Sequence, residues 1–144
     1  MPMKDVAKIV EYGKDIMDKT EKFIKMADCP EIQKCFQGWE DGDFYTVKHG
    51  GGAGMVFVWS QGEDEPPEMY KPVWLPRQDQ IQTIITKDYK TTLEMICDFY
   101  AVVTIDQPMG FDRMFDASWE QHWIAFYMWK KYTKVWKNEK WLDK

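Results

Sequence analysis

The side chains able to serve as nucleophile, general base or soft metal ligand are few: His49 and His122, Ser60 and Ser118, and Cys29, Cys35 and Cys97 in 144 residues. A catalytic serine needs a neighbouring base and an oxyanion site. His49-Gly50-Gly51-Gly52 has the composition of a stretch that donates an oxyanion-hole amide. Neither serine sits in the matching Gly-x-Ser-x-Gly frame, because Val58 and Gly62 flank Ser60, and Ser118 is preceded by Asp116 and followed by Trp119. The same glycines fail as a phosphate cradle. Gly52-Ala53-Gly54 would need a glycine where Phe57 stands, no Gly-Lys-Ser/Thr follows, and the loop leads into a strand instead of a helix. A flexible hairpin loop is the expectation.

Cys29 and Cys35 lie six apart, wider than the spacing that lets two thiolates share one zinc. Cys35 and Cys97 fall on apolar faces, where a thiol is usually a small buried hydrophobe. His122, beside Glu120 and within possible reach of Glu94 in the fold, could form an acid–base couple; a satisfied core histidine is the expected alternative. No metal, cofactor or catalytic residue is expected. Three cysteines, no basic start followed by an apolar run, and no stretch of 18 apolar residues point to a reducing cytoplasm and no membrane.

The net charge of -5, from 19 basic and 24 acidic groups, argues against broad nucleic-acid binding. One segment runs the other way. Lys130 to Lys144 carries six lysines against Glu139 and Asp143, interleaved with Tyr132, Trp136 and Trp141. Lysine beside stacking rings is what a single-stranded nucleic acid requires, whereas a solvated helix end accounts for the lysines through the helix dipole. Arg77 and Arg113 are the only arginines, so bidentate phosphate contacts are scarce.

The elements that would position these groups follow from periodicity. Val6, Ile9, Val10, Gly13, Ile16, Met17, Thr20, Phe23, Ile24 and Ala27 predict an amphipathic helix from Lys4 to Asp28. Asp28, Pro30 and Glu31 predict a short second helix to about Gln37, capped by Asp28. Strands are expected over Phe44 to Lys48, Met55 to Ser60 and Met69 to Leu75, with Pro72 suiting a sheet edge or a strand start. Pro76 opens a helix that buries Ile81, Ile84 and Ile85. Thr91 with Glu94 is a capping box for another, carrying Leu93, Ile96, Cys97, Tyr100 and Val103. Ser118 with Gln121 starts the last helix, to about Tyr132; the tail from Val135 to Trp141 extends it or makes a terminal turn, with Asn138 as a break. The expected architecture is α+β: residues 1–144 as one domain, with a small antiparallel sheet of about three strands packed against several helices.

Eight Trp, eight Phe and seven Tyr are the most informative feature left. Each hides about 200 Å² when buried, so eight outside the core would expose roughly 1,600 Å², beyond the roughly 300–600 Å² patch of a typical monomer. Either a dense aromatic core takes them or a partner does. The last helix is apolar around almost its whole circumference, which makes Trp119, Trp123, Tyr127, Trp129 and Trp136 the candidate surface for a protein partner or self-association.

The run Trp74-Leu75-Pro76-Arg77-Gln78-Asp79-Gln80-Ile81-Gln82, with Cys29-Pro30-Glu31-Ile32-Gln33, Gly42-Asp43-Phe44 and Ser118-Trp119-Glu120-Gln121, resembles small uncharacterised proteins encoded by phages and prophages of Gram-positive bacteria. The resemblance implies a bacterial cytoplasm and a phage-derived origin, and carries no activity or catalytic residue across. Read from the residues, Arg77, Gln78 and Asp79 open a helix, where they either lock a strand to that helix as a polar network or form a ligand site at its N-terminus. The leading functional expectation is a non-enzymatic interaction module binding protein through its aromatic helix; the alternative is a weak single-stranded nucleic-acid binder through Lys130 to Trp141.

Overall fold

The computed structural model describes residues 17–110 and 116–144. Most of the helix expected from Lys4, and Arg113, lie outside the described residues. The order is α1 (Glu21–Ala27), α2 (Pro30–Gln33), β1 (Phe44–Val47), β2 (Val56–Val58), a 3₁₀ turn (Glu68–Tyr70), β3 (Pro72–Leu75), α3 (Gln78–Thr86), α4 (Thr92–Ala101), α5 (Trp119–Tyr132), β4 (Lys134–Lys137) and β5 (Lys140–Asp143). This is a mixed α+β fold: an antiparallel sheet in the order β2-β1-β3, covered by helices, and a second two-stranded hairpin.

Alternation decides the sheet. Phe44, Thr46, Val73, Leu75 and Val56 share one face, which meets α1 and α5 in a core with Phe23, Met26, Ile81, Ile85, Ile124, Phe126 and Met128. Tyr45, Phe57 and Trp74 share the opposite face. There Tyr45 stacks on Phe57 at 5.4 Å, and Trp39 bridges Tyr45, Trp59 and Phe36, the last also meeting Trp74 at 5.7 Å. This second aromatic layer accommodates six of the rings that one core would not hold. The glycine loop between β1 and β2 fits closely against it: a Cβ on Gly50, whose φ is +96°, would stand 2.8 Å from Tyr70 Cδ1, and one on Gly52 would stand 2.7 Å from Phe57 Cζ.

Several boundaries differ from the sequence reading. The first helix does not run through to Asp28: Met17 to Thr20 are non-helical, and Thr20 caps a fresh helix by accepting from Phe23 N at 3.2 Å. Cys29, not Asp28, occupies the cap of α2, which is one turn long, while Asp28 pairs with Lys48 at 3.0 Å. Pro76 precedes α3, whose cap is Arg77. The Met69 region is a 3₁₀ turn, and β3 starts at Pro72, where a missing N–H faces no neighbour because β3 is an edge strand.

The largest correction is at the C-terminus. Thr133 ends α5 in the left-handed region (φ 53°), and β4 and β5 then pair as a hairpin with Lys137 opposite Lys140. Asn138 and Glu139, at φ 55° and 61°, form its two-residue turn, as a type I′ turn requires. Asn138 breaks the helical reading by reversing the chain. Trp136 packs against Trp141 at 5.0 Å, and Trp141 Nε1 donates to Met26 O at 3.0 Å.

Lys134 ties this hairpin to α2 through Glu31, Nζ to Oε1 2.8 Å. That hydrogen bond from Lys134 holds the Glu31 carboxyl below the usual range. A carboxyl depressed in the folded state contributes stability above its unfolded pKa, about 4.3, and loses it as pH falls through the folded value. The stability difference between the wild type and Glu31→Gln is therefore expected to be greatest near neutral pH and to shrink as pH falls below the unfolded carboxyl range, about 4.3. Urea titrations across that range check it; a difference that grows on acidification would contradict the pairing.

Candidate interaction surface

The structure places the expected surface residues of α5 mostly inside. Trp123, Tyr127 and Trp136 are buried, Trp129 is half-buried under Lys144 (4.1 Å to its ring), and only Trp119 is open, at 62%. The aromatic helix is thus the centre of the core and not its outside. It is apolar all round because α1, α3 and β4 pack against it and Phe99 of α4 stacks on its Trp123.

The uncovered apolar surface lies instead on α4. Thr91 fixes its start, accepting from Glu94 N at 3.1 Å. At roughly 100° per residue, Met95, Phe99 and Val102 fall on one side and Leu93, Ile96, Cys97 and Tyr100 on the other. The first set is buried against α5, where Phe99 stacks on Trp123 at 3.8 Å and 9°. The second faces outward: Leu93 and Tyr100 are 70% exposed, Ile96 47%, and Cys97 is exposed. Burial of Cys97, expected from its apolar face, does not occur, because α4 has two apolar faces and the chain covers the other one. Beyond Ala101 the helix widens into a π turn, Val102–Asp106, closed by Gln107 N to Val102 O at 2.9 Å. Within this turn Ile105 is 77% exposed. Trp119, from α5, is exposed beside α4 and meets Phe99 on its inner side, 6.2 Å between rings.

Arg77, Gln78 and Asp79 belong to a network. Arg77 Nη1 donates to Gly42 O at 2.7 Å and its Nε to Asp79 Oδ1 at 3.0 Å. Gln80 accepts from Arg77 N at 2.9 Å and donates to Asp43 Oδ1 at 2.6 Å; Asp43, fully buried, also accepts from Glu40 N at 2.8 Å. The string pins the start of α3 to the start of β1. Gln78 is half-exposed at the first position of α3. A cleft of about 220 Å³ lies alongside, lined by Trp74, Arg77, Thr83 and Lys87 among others. Arg77's donors already serve Gly42 and Asp79, which leaves the cleft without a free cation of its own from that residue.

The lysines of the C-terminal segment are largely engaged. Lys130 pairs with Asp98 at 2.9 Å, Lys134 with Glu31, and Lys131 lies over Tyr127 at 5.6 Å. Trp136 is buried and Trp141 is tied to α1, so the rings a nucleic acid would stack on are turned into the protein. His122 is buried in the first turn of α5, edge-on to Trp119 at 6.2 Å. Neighbouring Glu120 is half-buried, and that burial, with the Asp18 carboxylate nearby, raises its pKa; Glu94 is exposed on α4. Cys29 is pushed up to about 11 by burial, which suppresses its thiolate. Among the described residues, no group of three His, Cys, Asp or Glu is placed to hold a metal ion, and no helix is long and apolar enough to cross a membrane.

Asp18, which sequence spacing offers only as a surface helix residue four before Lys22, is buried and non-helical, and it organises the approach to α5. Buried, it accepts from Thr20 N at 2.9 Å, Thr20 Oγ1 at 2.6 Å and Gln121 Nε2 at 2.7 Å, and from Ser118 Oγ. Ser118 in turn caps α5 by accepting from Gln121 N at 3.1 Å. Comparison with protein-family models, curated proteins and solved structures finds no match to this chain.

Proposed function

We propose that this protein is a non-enzymatic interaction module whose binding surface is the outer face of α4 together with Trp119. One observation carries the reading: α4 is apolar on two opposite sides, and the described residues cover only one of them. Leu93, Ile96 and Tyr100 on this face, with Ile105 and Trp119 near it, leave roughly 600 Å² of apolar side chain open, the size of the largest patches that monomers carry and often use for binding. The scarcity of nucleophiles and bases, and the burial of His122, fit a module that recognises instead of reacts. Phage-derived origin and a bacterial cytoplasm, implied by the Trp74 to Gln82 string, belong to the same reading.

The test is photo-crosslinking in the cells that carry the gene, with p-benzoylphenylalanine at position 100 of the full chain. A light-dependent adduct with a polypeptide is expected there, and none at Thr83, which is exposed on α3. Equal, background-level adducts at the two positions would contradict the proposal.

A further inference from the structure

Independently of α4, we infer that the groove between the glycine loop and the outer face of the three-stranded sheet binds a small organic cation of the methylated-ammonium class. Three rings and two prolines wall it: Tyr45 on β1, Phe57 on β2, and Tyr70 with Pro66 and Pro67 from the segment that leads into β3. Its volume is about 340 Å³, within the roughly 300–1,000 Å³ of small-ligand sites. Tyr45 and Phe57 are half-buried and stacked at 5.4 Å, while Tyr70 is 40% exposed, so the rings are held in place and still reachable. The loop closes on them with backbone alone. A Cβ on Gly50 would press on Tyr70 and one on Gly52 on Phe57, so glycine at both positions is what permits the approach.

Charge selects the occupant. The segment from Gly62 to Met69 carries Glu63, Asp64, Glu65 and Glu68 and no basic side chain, and the four carboxylates are exposed and make no ion pair among the described residues. Trp59 Nε1 ties the segment to the sheet by donating to Asp64 O at 3.4 Å. Burial first, and then the Glu63 carboxylate, raises the pKa of Tyr45, which sets that negative charge beside the ring. On the basic side, Lys48 is paired with Asp28 at 3.0 Å, which leaves Lys71, next to Tyr70 in the chain, and His49 in the groove wall. The local field is therefore negative and repels phosphates. The rings add the same sign, because the face of an aromatic quadrupole attracts a cation within roughly 6 Å. Methylation is the form of ammonium that fits. Its methyl groups pack on rings and prolines and replace the N–H donors that would each need an acceptor, whereas a bare metal ion needs a ligating group that the described residues do not form.

The experiment is isothermal titration of the full chain with choline and with its uncharged isostere, 3,3-dimethylbutan-1-ol, joined to proton NMR of the choline complex. Saturable millimolar binding of choline is expected, at least about 10-fold tighter than that of the alcohol of the same shape. In the unaltered chain, nuclear Overhauser contacts should run from the N-methyl protons to the rings of Tyr45, Phe57 or Tyr70. Tyr70→Ala, an exposed position whose circular dichroism should match the wild type, is expected to weaken binding at least about 10-fold, and the double variant Glu63→Gln/Glu65→Gln about 3-fold at low salt. Leu93→Ser on α4 should change nothing. Acetylated and amidated trimethyllysine, run in parallel, tells a methylated side chain from a free ammonium by which binds more tightly. No saturation by about 50 mM choline, equal affinity for the alcohol, methyl contacts confined to other rings, or a dissociation constant that either groove variant leaves unchanged would overturn the assignment. The photo-adduct at position 100 tests a different surface, so either proposal can fail without the other.

Discussion

Trp123→Ala is expected to destabilise the protein by about 4 kcal/mol, lowering its melting temperature by roughly 10 °C or more, whereas Trp119→Ala, one turn earlier on the same helix, costs less than about 1 kcal/mol. Both were equal candidates for a partner surface on sequence grounds. The structure separates them. Trp123 is 3% exposed, lies flat on Phe99 at 3.8 Å and meets Phe126 edge-on at 5.9 Å, so its removal opens a cavity where α4 and α5 join. Trp119 touches Phe99 and His122 and is otherwise open, 62% exposed. Trp123→Phe sharpens the comparison. Nε1 of Trp123 is buried with no hydrogen-bond partner among the described residues, so phenylalanine keeps most of the packing and deletes an unsatisfied donor. Its cost is expected to stay under about 1.5 kcal/mol. Chemical denaturation of the three variants checks this; similar losses for Trp119→Ala and Trp123→Ala would refute the assignment of faces.

Asp18→Ala is the second large effect, about 3 to 4 kcal/mol. The carboxylate accepts from four donors on two segments a hundred residues apart in sequence: Thr20 N and Oγ1 on one side, Ser118 Oγ and Gln121 Nε2 on the other. Alanine leaves the buried Gln121 amide without its acceptor and unties it from Thr20, and the Ser118 cap of α5 loses the contact that orients its hydroxyl. Ser118→Ala, which removes one of the four donors and the cap, is expected to cost about 1 to 2 kcal/mol. Asp79, largely exposed, serves as the comparison, and its alanine variant is expected to stay within about 0.5 kcal/mol. Thermal melting of the set decides it. An Asp18→Ala protein as stable as Asp79→Ala would show that the four contacts are not made in solution.

These contrasts also mark where sequence reasoning reaches. The strands around Phe44–Val47, Val56–Val58 and Pro72–Leu75 were legible because β-branched and aromatic residues sit between glycine and proline breaks. The caps at Thr91 and Ser118 were legible because their hydrogen bonds are local, three residues ahead. Asp18 was not, since its partners are distant in the chain and its neighbours Met17 and Thr20 continue an apolar spacing that suggests helix. The C-terminal hairpin was hidden by lysine and tryptophan alternating under a helical reading, although Asn138 gave the signal for a left-handed turn. In α4 the periodicity correctly grouped Leu93, Ile96, Cys97 and Tyr100 on one face. Periodicity assigns residues to a face; it does not say which of two apolar faces meets the core, and Met95, Phe99 and Val102 took that place. The aromatic excess was read correctly as a problem, and half of its solution, the outer layer of the sheet around Trp39, needed the strand register.

The account rests on an outward apolar face on α4, and the alkylation of its cysteine under native conditions tests this most directly. At protein concentrations too low for association, near neutral pH, mass spectrometry should find Cys97 modified first. Cys29, with its pKa raised to about 11 by burial, should lag by a factor on the order of 100, and Cys35, half-buried with Sγ 3.3 Å from Tyr127 Oη, should follow Cys97 as well. If Cys97 reacts as slowly as Cys29, the face is covered within the chain and the interaction surface does not exist.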